Sequence, residues 1–78
     1  MTNKELGGRL RTLRIVTNLT QTQVANILGV SQPTVHGWER GAWPRLEILR
    51  GLAGLYGVTL ATLLAEPARR ARRVRRVG

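Results

Sequence analysis

The chain has 78 residues, enough for one small domain, with 42% hydrophobic residues, no Cys, a single His, and 13 Lys and Arg against four acids, a formal charge of +9. Without thiols there is neither a disulfide framework nor a thiolate metal site, and one His offers too few ligands for zinc, so no metal or cofactor is expected. The apolar runs are too short to span a membrane and no secretory leader is recognisable, so the expectation is a cytoplasmic protein without a membrane partner.

The charge is uneven. Residues 1–66 carry seven cations and four acids, whereas residues 67–78 carry six Arg and no acid. The division reads as a domain over 1–66 and an arginine-rich tail over 67–78. A cationic excess of this size is an argument for a polyanionic partner, not for any fold.

Residues 1–4 read as frayed. From Glu5, Leu6, Leu10, Leu13 and Thr17 recur at helical spacing, with Arg9, Arg11 and Arg14 giving this first helix a basic outer face until Asn18 breaks it. Thr20 with Gln23 forms a capping box for a second helix, Leu19 and Val24 form its hydrophobic staple, and Gly29 ends it. Val24, Ala25, Ile27 and Leu28 form its expected buried side. Two residues later Ser31 caps a third helix, with Pro33 in the first turn, where its missing N–H is harmless. Val35 and Trp38 point inward, and Gln32, Pro33, His36, Gly37 and Arg40 point outward. A loop over Ala42–Arg45 leads to a fourth helix carrying Leu46, Ile48, Leu49, Leu52, Ala53, Leu55 and Tyr56, which Gly57 ends. Thr59 caps a short fifth helix, and Pro67 stops the pattern. No strand is expected, so the fold class is all-α.

The spacing of the second and third helices raises the possibility of two steeply crossed helices, one held in a DNA groove. Six stretches taken in order strengthen it: LxxLR at Leu10 to Arg14, LTQTQVA at Leu19 to Ala25, LGVSQPTV at Leu28 to Val35, WERG at Trp38 to Gly41, PRLEIL at Pro44 to Leu49 and LYGVTLATLL at Leu55 to Leu64. Together they resemble the phage repressor/Cro-type, or lambda-repressor-like, helix-turn-helix family over about residues 6–64.

The resemblance implies a compact five-helix domain in which residues 32–40 form the recognition helix, placing their N-terminal side chains against base edges in the major groove. Gln32 becomes the leading base reader, since an amide can pair with the N6 and N7 edge of adenine. Pro33 offers apolar contact to a thymine methyl, and Thr34 and His36 are further candidates for base contact. Gly37 departs from the resemblance: family members often carry a polar side chain there, and a bare position narrows the readout or lets the backbone approach the bases. Gln21 is implied to contact a phosphate and brace Gln32. Arg40, Trp43 and Arg45 are candidate backbone contacts around the loop. Arg14 is implied both near the backbone and as the ion-pair partner of Glu39. In the tail, Arg69, Arg70, Arg72 and Arg73 are candidate phosphate contacts.

One recognition helix reads few base pairs, so the expected form is a homodimer on double-stranded DNA, with Leu60, Leu63 and Leu64 as candidate dimer contacts. The leading function is a sequence-specific transcriptional regulator, expected to repress. Two others compete: a nucleoid or architectural binder driven by the tail, and an antitoxin-type regulator that also binds a protein. An enzyme is not expected, because the chain has no Cys, no Asp, one His and no phosphate-binding glycine loop of recognised form.

Overall fold

Hydroxyl caps start four of the five helices, and left-handed glycines end two of them. In the computed structural model, which describes residues 1–66, the helices are α1 (Asn3–Val16), α2 (Gln21–Leu28), α3 (Gln32–Glu39), α4 (Leu46–Tyr56) and α5 (Leu60–Leu63), and the described residues include no strand. Thr20, Ser31 and Thr59 accept hydrogen bonds from the backbone N–H groups of Gln23, Thr34 and Thr62, as their positions predict. Gly29 and Gly57, both at φ 73°, close α2 and α4 in a conformation that disfavours any side chain.

The first helix begins earlier than expected. Thr2 and Glu5 make a full capping box, so residues 3 and 4 belong to α1. The outer face of α1 is also less basic than the sequence suggests. Arg9 turns toward the end of α5 and donates to the carbonyls of Thr62, Leu63 and Ala65 at 3.3, 2.9 and 2.8 Å. Arg14 turns inward, and Arg11 alone of the three is exposed.

The core joins all five helices: Leu6 and Leu10 from α1, Val24 and Ala25 from α2, Val35 and Trp38 from α3, Leu49, Leu52, Ala53 and Tyr56 from α4, and Leu63 from α5. Each fully buried Leu or Val contributes about 1.5–3 kcal/mol of transfer free energy. α3 packs against both α1 and α2, and α5 packs against α4. Ile27 is not part of this core. It is 57% exposed, and on α2 only Val24 and Ala25 are buried. Leu63 is 0% exposed and fills the core, so it is unavailable to a second copy; of the three candidate dimer contacts, Leu60 and Leu64 keep partial exposure.

Among the glycines, Gly7 makes the closest approach to a neighbouring helix. A Cβ there would lie 2.7 Å from the carbonyl oxygen of Glu39 and 2.9 Å from that of Trp38, so α1 rests directly on the backbone that ends α3. Gly8, one residue on, has nothing within 4 Å of a Cβ. The pair makes a matched test by thermal or denaturant unfolding. Gly7→Ala forces α1 off α3 and destabilises the fold by about 1–3 kcal/mol. Gly8→Ala stabilises it by about 1 kcal/mol through helix propensity alone.

Candidate nucleic-acid interface

α3 presents a continuous outward face. Gln32, Pro33, Thr34, His36 and Arg40 are exposed, Gly37 is half-buried, and Val35 and Trp38 hold the opposite side in the core. Residues 33, 36, 37 and 40 share one stripe at helical spacing. Two of these four, Pro33 and Gly37, carry no polar side chain. A Cβ at Gly37 would meet only the Cβ of Ala42, at 3.8 Å, so α3 itself leaves room there for a side chain. The Thr34 hydroxyl is 2.7 Å from that of Ser31, within the cap.

A chain of side-chain hydrogen bonds ties this face to the rest of the domain. Arg14 donates from Nε and Nη2 to the two carboxylate oxygens of Glu39, at 2.6 and 3.2 Å, and from Nη1 to the carbonyl of Leu19 at 2.9 Å. Glu39 Oε1 also accepts from Gln21 Nε2 at 3.0 Å. Gln21 Oε1 in turn accepts from Gln32 Nε2 at 2.6 Å. The expected ion pair and the expected bracing of Gln32 by Gln21 are therefore both present in the free protein.

Arg14 is corrected as a phosphate contact. Its side chain is 13% exposed and that of Glu39 4%, and all three guanidinium nitrogens already have partners. The pair lies in the interior and ties α1 to the last residue of α3. The hydrogen bond to Glu39 holds the Arg14 guanidinium above its ordinary pKa despite burial. Tyr56, at the end of α4, is pushed up to about 12 by burial and by the nearby Glu39 charge.

Arg40, at the end of α3, and Arg45, which precedes α4, are exposed. Arg45 lies 3.8 Å from Glu47, a pair too exposed to hold either charge in place. Trp43 is 46% exposed and is not among the side chains packed on the core. α4 starts at Arg45 without a side-chain cap, unlike the other four helices. Among the described residues, no side-chain cap is bonded to its first N–H groups. Arg69, Arg70, Arg72 and Arg73 lie outside the described residues. Sequence reasoning missed Gly7, which supports the end of α3, and Arg9, which holds α5; neither carries a local signal that separates it from its neighbours.

Two outcomes follow from the buried pair. Arg14→Ala leaves a buried carboxylate without its counter-charge and lowers unfolding free energy by about 3 kcal/mol or more, read by denaturant titration. For Tyr56, the folded state holds the phenol neutral while the unfolded chain ionises near its ordinary value of 10.0. Stability is then unaffected below about pH 10 and falls as pH rises toward 12. The phenolate absorbance of the single tyrosine reports the shift, and Tyr56→Phe removes that part of the alkaline loss.

Residues 5–66 match the model of a helix-turn-helix domain family. No curated protein matches the chain. Among solved structures, the chain is similar to the crystal structure of Fe(II)-HppE with the alternative substrate (S)-1-HPP, with 24% identity and a TM-score of 0.75 over 87% of this chain. The match spans 35% of that longer chain, and at this identity the likeness shows the fold alone. With the family match covering α2, α3 and all but the start of α1, the chain belongs to the helix-turn-helix domain family.

Proposed function

We propose that this protein is a sequence-specific DNA-binding transcriptional regulator of the repressor/Cro type, acting in the cytoplasm on duplex DNA. The observation that carries the reading is the outward face of α3. It is polar, it holds no acid pointing outward, and its leading residue Gln32 is tied through Gln21 to a buried ion pair. A face held this firmly suits a rigid reader, because little side-chain freedom remains to be lost on binding.

In this reading α3 enters the major groove. Gln32 contacts a base edge, Pro33 packs on a thymine methyl, and Thr34, His36 and the bare backbone at Gly37 complete the readout. Gln21, Arg40, Trp43, Arg45 and the uncapped start of α4 grip phosphates on either side. Two copies place their recognition helices about 34 Å apart on a palindromic operator, meeting through Leu60 and Leu64. Such a dimer represses by occluding polymerase.

The six arginines of residues 67–78 favour a second reading, in which phosphate binding dominates and sequence is read weakly. Selection of bound duplexes from a random pool at about 0.15 M salt separates the two. The first reading expects enrichment of a two-fold symmetric site that Gln32→Ala no longer selects. Tight binding without enrichment favours the second. Removing residues 67–78 lowers the salt slope of binding by about 0.9 for each phosphate that the tail neutralises, and a slope unchanged by the truncation removes the tail from the interface.

A further inference from the structure

We propose that Arg9, by holding the end of α5 to α1, sets the half-site spacing at which two copies of this chain bind DNA. The inference rests on the reading in which the copies pair through Leu60 and Leu64, and adds the residue that fixes the geometry of the pair.

α5 is short and weakly ended. It has four residues, too few to hold a helical conformation alone. α2 and α4 end on left-handed glycines, whereas the C-cap of α5 is Leu64 at φ −100°. Its last carbonyls need donors from elsewhere in the fold. Arg9 supplies them: the N–H groups of Nη1 face the carbonyls of Thr62, Leu63 and Ala65 at 3.3, 2.9 and 2.8 Å. Three acceptors converging on one nitrogen fix the direction in which α5 ends as well as its distance from α1. Leu63 is buried and anchors α5, while Leu60 and Leu64 on either side of it stay partly exposed. The surface that these two leucines show depends on how α5 is turned about that anchor, and the Arg9 contact fixes the turn.

The same stretch of α1 locates α3. Gly7 lies against the end of α3, where a Cβ would come within 2.9 Å of the Trp38 carbonyl oxygen and 2.7 Å of that of Glu39. Two residues advance a helix by about 200°, so Gly7 and Arg9 leave α1 on nearly opposite sides. The recognition helix on one side and the pairing helix on the other are thereby held in one relation within each copy. A symmetric pair uses that relation twice, so any looseness in it is doubled at the DNA. One added base pair moves a half-site by about 3.4 Å and turns it by roughly 35°. Two rigid copies can follow such a shift only by deforming the duplex. With α5 loosened, the copies follow it by swivelling instead. Arg9 is a positioning residue for specificity: it acts through α5, without touching a base.

The test compares the full chain with its Arg9→Met and Arg9→Gln variants. Binding is measured on duplexes carrying two inverted half-sites, with their spacing changed by one base pair in either direction. The wild type is expected to prefer its best spacing by roughly tenfold, the low end of the cost of deforming DNA. Arg9→Met is expected to reduce that preference to within about threefold. The ratio compares one protein on several duplexes, so a smaller folded fraction or the loss of a general attraction to phosphate cancels in it. Arg9→Gln, with a shorter polar side chain, is judged in the same way and serves where Arg9→Met fails to fold. A folded variant that keeps the full preference overturns the proposal. In the DNA-free protein, the amide hydrogens of Leu63 and Leu64 bond to the carbonyls of Thr59 and Leu60 at 2.9 and 3.0 Å. They are expected to exchange about tenfold faster in the variants, with those of α3 unchanged. Unchanged exchange at α5 also overturns the proposal. A wild type that is indifferent to spacing refutes the paired reading itself, an outcome seen before any variant is compared.

Discussion

The ion pair between Arg14 and Glu39 is the interaction on which the rest of the arrangement depends. It joins α1 to the last residue of α3 across 25 positions of sequence, and its third nitrogen holds the carbonyl of Leu19 at the entry to α2. Three helices are thereby registered by one guanidinium. A buried pair is weak evidence for net stability, since removing two charges from water offsets most of what their attraction contributes. Here the remaining lone pairs are used: Glu39 also accepts from Gln21, which lowers the cost of its burial. Orientation, more than stability, is what such a pair supplies.

The close approach at Gly7 serves the same geometry. A side chain at that position would collide with the carbonyls of Trp38 and Glu39, and the ion pair reaches Glu39 from the following turns of α1. Backbone contact and charge contact therefore locate the same end of α3 independently. The other end is located by the Ser31 cap and by the short turn through Gly29. A helix of eight residues contributes little stability of its own, so its placement comes from these neighbours.

Much of this was legible in the residues, and the reasons differ by position. Thr20, Ser31 and Thr59 could be read as caps because a hydroxyl before an apolar helical period has few other uses. The link from Gln21 to Gln32 and the pairing of Arg14 with Glu39 came from family resemblance, since 11 and 25 positions of sequence separate the partners and hide them from any local pattern. Thr2 was readable and missed: its capping box with Glu5 has the same form as that of Thr20. Ile27 and Leu63 could not be settled by periodicity. In two-turn and one-turn helices the apolar arc is poorly defined, and only the placement of neighbouring helices decides which residue is covered. Arg9 shows the same limit for charge, because its partners are backbone carbonyls more than fifty residues away.

That Arg9 contact bears on everything downstream of it. By holding the carbonyls of Thr62, Leu63 and Ala65 against α1, it makes the exit of the chain a fixed origin. Asn3, at the start of the same helix, lies beside Gly41, just past the end of α3. The ends of α5 and of α3 are thus both referred to α1, so a displacement of that helix moves both.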